Sequence, residues 1–586
     1  MKKQTITVVY IQRVLIAILT VLSVTAAVTK IFTGFDIDEA YALALPYRVM
    51  QGDRLFLDMW EVHQTSFLLP WLFMELFFKL TGSMTGVVLY TRIVTSLLHL
   101  LISVLVYRFA GRQFQIGKKA AFLFALGYYN FLPKWMINLD FSMQQLWFFT
   151  LFLICLYDAV AAKKNKWLYF GVSGLMLAMT VLAYPGMLIL YPAVLLFLFL
   201  QKERETKKKW QDVLAITGAC FVAAVVFFAA VFTYMTPGEF MESVPRVFMD
   251  GSHQYDLLTK LGIYASQWRE VLIQTLILLL PAAVAAWLFR FAYMHSGLKK
   301  RGGVLPAGLL FCVVFQIMVS ALIVFAGLFV TWGPFRLQVR YIIQFVMAFY
   351  LLHYVHVGAG EKRLPAWLLW FSLASFAGIL IASNVGPVSS SSYLVWGNLV
   401  FMVLLLKAAD KGGSMIRGLS CAGAVLFLAS LIMCKGFYMR NTEYVPGNIS
   451  QPLAKVEEGP LAGVFVPLND RVRYTQDYET IQQNTTDHDR VLFMGTEGLC
   501  NLYANGKIVI PTTISTPAFN AQWVEYFTLY PQKQPTVIFL AKNTVDDRNK
   551  FFVKNEFGVW IAERYNVECM EETDSLCVLR PREIPK

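Results

Sequence analysis

Long apolar runs recur along most of the chain, and they leave it few folds to adopt. They lie at 11–32, 85–107, 119–133, 141–161, 167–184, 186–200, 213–235, 270–294, 305–332, 339–357, 365–383, 393–407 and 415–436. A helix needs roughly 17–25 apolar residues to cross a bilayer, and fewer where it borders a cavity. In lipid each backbone amide must be bonded within the structure itself, so such runs form helices. The chain is therefore predicted to be an α-helical polytopic membrane protein with about 13 transmembrane helices. Only 15% of its residues are charged, where soluble domains carry about a quarter.

Topology follows from charge. The stretch "SFLLPWLFMELFFKL", Ser66–Leu80, is apolar but short, with Pro70 and Glu75 inside it. If it does not cross, the loops "YRFAGRQFQIGKK", "AAKKNKW", "QKERETKKKW", "HSGLKKRGG", "GAGEKR" and "KAADKGGSMIR" all share one side with the N-terminus. Each is basic, as cytoplasmic loops are. Ser66–Leu80 is then a helix lying in the outer interface. The net charge of +13 is explained by these loops and does not call for nucleic acid as a partner. An odd number of spans places residues 437–586 outside. This predicts a multi-pass protein of the plasma membrane, bacterial in style, with a cytoplasmic N-terminus and an extracytoplasmic C-terminal region.

The chain divides at about 436. Residues 1–436 form the transmembrane domain, with long outer loops at 33–85 and 236–269. Residues 437–586 read as a small α/β domain, with strand-like runs "GVFV" (463–466), "VLFMG" (491–495), "KIVI" (507–510) and "TVIFL" (536–540). The inner loops are too short for a nucleotide-binding domain, and none carries a phosphate-binding glycine motif at a strand–helix junction. Five of the eight cysteines lie in apolar segments as buried filler. Cys500, Cys569 and Cys577 lie in the tail, and spacing leaves a Cys569–Cys577 bridge open.

The first outer loop holds the chemistry-bearing residues. "FDIDEAY" brings Asp36, Asp38 and Glu39 directly after the first span, and Asp53, Asp58, Glu61 and His63 follow. Asp38 and Glu39 open a predicted helix to Met50, where a carboxylate serves as an N-cap. Near lipid, desolvation also raises carboxylate pKa values, which suits a general base.

This Asp-Glu pair after the first span resembles the signature of the GT-C membrane glycosyltransferases. So do the helix behind it, the "QGD" turn and "KLTGSMTGVVLYTRIVTSLL" running into a span. The groups most similar are the protein O-mannosyltransferases and the aminoarabinose transferase that modifies lipid A. The resemblance implies transfer of a monosaccharide from a polyprenyl-phosphate donor to an extracytoplasmic acceptor, with inversion. It implies Asp38 as base and Glu39 as its orienting partner, and leaves Asp36 open. It marks Asp140, in the turn before the fourth span, as a second acidic site residue. A cap at the start of that span is the bland reading of Asp140. Lys134, in the same turn, is placed to meet a phosphate.

Arg246, Asp250 and His253 lie in the second outer loop, which in the related enzymes covers the active site. His253 with Glu61 and His63 is the minority reading of a divalent metal site. Arg336 and Arg340 sit four apart where cations are scarce. They either snorkel to headgroups or grip the donor phosphate, to which a guanidinium is matched. Rival readings are a ligase or polymerase using polyprenyl-diphosphate glycans, a lipid-linked sugar flippase, and a scaffold for the tail. A flippase would place acids at mid-membrane, and the spans carry almost none.

Overall fold

The structure is a computed structural model. It describes residues 2–162, 164–201, 204–248, 257–296, 307–329, 338–354, 359–383, 386–411, 413–440, 446–513, 520–568 and 571–582. Arg336, Asp250, His253 and Cys569 lie outside them.

A helix covers each predicted span. In chain order they are α1 (Lys2–Phe32), α4 (Val87–Gln113), α5 (Lys118–Asn130), α6 (Phe141–Ala161), α7 (Lys166–Ala183), α8 (Leu190–Phe199) and α9 (Thr206–Val231). They continue with α11 (Leu257–His295), α12 (Ala307–Phe329), α13 (Val339–Tyr354), α14 (Ala359–Ala382), α15 (Val395–Lys411) and α16 (Ser414–Phe437). Nine helices among the described residues are long and apolar enough to cross a membrane. Shorter apolar helices lie at Pro185–Phe199, Ala307–Ala321 and Val339–His353. The chain is thus a multi-pass membrane protein, and many of its large apolar side chains face outward as a lipid-bathed bundle requires. On α11, Leu272, Leu276, Leu280, Trp287 and Phe291 are all exposed.

Two further helices lie in the first loop, α2 (Ile37–Met50) and α3 (Leu68–Thr81). The second is the predicted Ser66–Leu80 helix, begun two residues later because a 3-10 turn occupies Gln64–Phe67. Leu68, Leu72, Leu76 and Leu80 recur on one exposed face, while Met74 is buried. The loop predicted at 236–269 is largely helical instead. It contains α10 (Pro237–Phe248), and α11 begins at Leu257. Nothing in "LLTKLGIYASQWR" stops a helix that the following span has already nucleated.

The loops separate by charge as the sequence predicts. At one end of the bundle, Arg112 pairs with Asp158, Arg204 with Asp212, and Arg363 reaches the Leu200 carbonyl. The other end gathers the first loop, the α5–α6 and α7–α8 turns, α10 and the tail. There Thr65 donates to the Leu182 carbonyl at 2.6 Å, and Gln144 to that of Ser66 at 2.9 Å.

Among the described residues the tail holds nine short strands. β1 (Tyr438–Arg440) leaves α16 and pairs with β2 (Pro446–Asn448); β3 (Leu453–Lys455) pairs with β4 (Phe465–Pro467). The remainder are β5 (Arg490–Met494), β6 (Lys507–Ile508), β7 (Val537–Ala541), β8 (Glu571–Glu572) and β9 (Leu576–Leu579). They form one sheet in the order β6-β5-β7-β9-β8. β5 runs parallel to β6 and β7, and β9 antiparallel to β7. Helices α17 (Leu468–Asn484), α18 (Asn520–Leu529) and α19 (Glu556–Arg564) cover it. Cys577 is buried on β9.

This unit shares its core with the first loop. Phe35, Ala40, Leu43, Trp60 and Val88 belong to the same buried cluster as the strand residues of β5, β7 and β9. Arg48 of α2, fully buried, fixes the join. It bonds the carboxylates of Asp53 and Glu61 at 2.9 Å each, and donates to the carbonyls of Asp58 and, in the tail, Ile510. Thr513 adds a hydroxyl to Glu61 at 2.6 Å, and Lys533 bonds Asp58 at 2.6 Å. Breaking a buried ion pair by removing one partner costs about 3–5 kcal/mol. Arg48→Met is therefore expected to lower unfolding stability in detergent by about that amount, read by denaturant titration. A wild-type midpoint would show that the pair does not hold the tail.

Candidate functional site

Helix α2 carries the Asp-Glu pair, and its start is fixed by Asp36. That side chain accepts the Asp38 amide at 2.9 Å, with extended backbone at the cap (φ −134°, ψ 150°). The cap is thus Asp36, not Asp38, and Asp38 is released from the role that the helix start suggested. Asp36 is buried at this cap rather than presented as a binding group.

Glu39 is held by a cation the sequence reading did not single out. Arg92 of α4 grips both its carboxylate oxygens, at 2.7 and 2.6 Å, and donates to the Ile31 and Gly34 carbonyls at 3.0 and 2.6 Å. All four groups lie where α1 ends and α2 begins, so Arg92 pins that corner. Glu39 faces this pin and not Asp38.

Asp38 meets Lys134 instead. The ammonium lies 3.0 Å from the Asp38 carboxylate and 3.6 Å from that of Asp140. Lys134 holds a left-handed backbone (φ 53°, ψ 8°) within the Pro133–Trp135 turn, a conformation costly for a residue with a Cβ. Asp140 is the N-cap of α6, accepting the Met143 amide at 2.8 Å. The cap reading of Asp140 is thus met. Burial pushes the Asp140 carboxyl up, and Lys134 beside it opposes that without reversing it.

Aromatic rings close around this triad. His63 stacks on Phe141 at 3.8 Å and 6°, and lies 4.9 Å from Tyr184. Lys134 stands 4.0 Å from the Phe141 ring centroid. Tyr393 bonds Ser142 at 3.1 Å and packs edge-on to Tyr184. A flat apolar wall beside two carboxylates and an ammonium suits a sugar ring, which offers C–H faces and hydroxyl edges.

The other predicted residues lie apart. Arg246 pairs with Glu525 of α18 at 2.8 Å and lies over Trp60, so it joins α10 to the tail. Arg340 is buried, donating to the Cys434 thiol at 2.9 Å and the Tyr341 hydroxyl at 3.0 Å. Glu61 is committed to Arg48 and Thr513. No group of three His, Cys, Asp or Glu side chains placed for a metal occurs among the described residues.

Residues missed at first reading share one signal, a cation inside an apolar run. Arg92 in "VVLYTRIVTSLL" is one. Lys30 in "TAAVTKIF" donates to the Tyr438 carbonyl, and Lys435 in "SLIMCKGF" donates to that of Tyr129 at 2.9 Å. Lys30 and Arg92 line a small cavity with Asp36, Glu39, Met136 and Met439.

The family model described as dolichyl-phosphate-mannose-protein mannosyltransferase matches residues 64–232. That stretch resembles the family. It covers less than a third of the chain, from the residue after His63 to the end of α9, and includes Arg92, Lys134 and Asp140. No curated protein matches the chain. Solved structures similar to it include the oligosaccharyltransferase AglB of Archaeoglobus fulgidus, in complex with an inhibitory peptide and a dolichol-phosphate. It is 10% identical, over 98% of this chain and 76% of that one, with a TM-score of 0.46. ArnT of Cupriavidus metallidurans, bound to undecaprenyl phosphate, is 13% identical over 97% of each chain, with a TM-score of 0.42.

Burial pushes the Glu61 carboxyl above its usual value, with Arg48 opposing. A folded-state pKa above the unfolded one means that the folded chain binds more protons between the two. Stability contributed by Glu61 is then fullest below its unfolded value of 4.5 and falls as pH rises through the raised one. Glu61→Gln is expected to flatten that fall, read as melting temperature against pH from 4 upward. An unaltered slope would assign it to another group.

Proposed function

We propose that the protein is a membrane glycosyltransferase that moves a sugar from a polyprenyl-phosphate donor to an acceptor hydroxyl at the loop end of the bundle. The observation that carries this reading is the Asp38–Lys134–Asp140 array beside the aromatic wall. The family-model match over residues 64–232 supports it.

The reaction needs three things of the protein. An acceptor hydroxyl is a weak nucleophile, so a carboxylate must take its proton as the oxygen attacks the anomeric carbon. Asp38 fits: it is partly exposed, with 19% of its side chain open, and the Lys134 ammonium lies 3.0 Å from its carboxylate. The bond from the anomeric carbon to the phosphate oxygen breaks as the new one forms, and its electron pair leaves with the phosphate. A single displacement inverts the anomeric centre. Charge growing on the departing phosphate calls for a fixed cation, and Lys134 supplies one within the array. Asp140, anchored by its cap bond, holds Lys134 at its post. Glu39 acts through Arg92 by keeping the α1–α2 corner in place. Arg340, whose guanidinium is spent on Cys434 and Tyr341, serves packing in this arrangement.

The bundle end that carries the array is the extracytoplasmic one in this reading, opposite the basic loops. The transfer then draws on a lipid-linked sugar and on no nucleotide. The bilayer is the plasma membrane of a bacterium-like cell, and the acceptor is an envelope glycan, lipid or protein.

Mass spectrometry of envelope glycans from cells with and without the protein should reveal a missing sugar, restored by the wild type and not by Asp38→Asn at equal expression. Full restoration by Asp38→Asn would remove Asp38 as base. Lys134→Met leaves two carboxylates near each other without their cation. At least a tenfold loss of rate at neutral pH is expected, measured with the donor so identified.

A further inference from the structure

Six large apolar side chains of the tail are exposed among the described residues: Ile449, Phe465, Leu468, Val472, Leu529 and Val553. Three of them, Phe465, Leu468 and Val472, fall within eight residues, and each is between 37% and 51% exposed. The first ends β3–β4 pairing, and the other two stand four apart on the first turns of α17, on one face of that helix.

Their height relative to the bundle is fixed by hydrogen bonds. The Gly34 amide donates to the Phe465 carbonyl at 2.8 Å, so β4 runs alongside Thr33 at the end of α1. Tyr474, two residues beyond Val472 on α17, packs edge-on against Phe35 at 5.9 Å. Nearby, the Gly86 and Val88 amides at the start of α4 donate to the Gly459 and Pro460 carbonyls. The start of α17 therefore lies level with the points where α1 and α4 leave the bilayer. On α1 the exposed side chains Val24, Val28 and Phe32 follow one another at helical spacing, and this lipid-facing stripe ends at the residue before Thr33.

We infer that Phe465, Leu468 and Val472 form a lipid-contact edge, set into the headgroup–acyl boundary of the leaflet at the loop end of the bundle. The tail is then seated on the membrane as well as on the first loop. The occupant follows from continuity: the patch extends a surface that lipid already covers, at the depth where amphipathic side chains enter a leaflet. Leu529 and Val553 stand outside this edge, and Val553 serves as the water-facing comparison. The inference is independent of the reaction assigned above.

The full chain in phospholipid nanodiscs tests it, with the environment-sensitive fluorophore NBD attached at Leu468→Cys, Val472→Cys and, as a water-facing comparison, Val553→Cys. The signal of the unsubstituted protein is subtracted for native cysteines. At 468 and 472 the emission should be blue-shifted, be quenched at least twofold by brominated acyl chains, and resist aqueous iodide. At 553 the pattern should be reversed. Equal iodide quenching at all three positions would overturn the proposal. So would a blue shift at 468 and 472 without quenching by brominated lipid, which would mean that protein covers the patch.

Discussion

Buried carboxylates need cations, and in this protein that need ties distant parts of the chain together. Helix α2 and the loop behind it carry six acids between Asp36 and Glu61. Glu39 is answered by Arg92 from α4, Asp38 by Lys134 from the α5–α6 turn, Asp53 and Glu61 by Arg48, and Asp58 by Arg54 and Lys533. A carboxylate left alone in such surroundings costs several kcal/mol. Each pair is thus a constraint on where one segment sits against another, and together they hold α2 in one place.

The acids of the first loop accordingly divide into two sets with different neighbours. The set at the start of α2 faces the bundle, where Asp38 keeps an opening to solvent and shares its cation with Asp140. The set from Asp53 to Glu61 faces the tail and is almost wholly enclosed. A loop that reads as a single acidic patch is a candidate site on one flank and a join on the other.

Much of this was legible in the residues. Apolar runs located the helices because lipid permits little else, and basic loops sorted the two bundle ends. Four of the tail's strands were visible as β-branched and aromatic runs, whereas "LCVL" at β9 is recognised only by its pairing with β7. The candidate site was legible where local chemistry decides it, as with the Asp140 cap. It was illegible where a partner arrives from far along the chain. Nothing near Glu39 announces Arg92, and nothing near Arg246 announces Glu525, which lies far along the sequence in the tail. Arg340 looked like a phosphate ligand because it stands four residues from Arg336 where cations are scarce. The fold turns it inward onto Cys434.

The shared core of tail and first loop also bears on how the protein is made. Chains emerge at about 5–20 residues per second, and Thr513 follows Glu61 by most of the sequence. For tens of seconds, on that scale, α2 and Arg48 stand without the strands that will enclose them. The nascent bundle therefore offers Phe35, Leu43 and Trp60 as an uncovered apolar face until its last portion is synthesised. The join between the first loop and the tail is completed late, after most of the helices have been made.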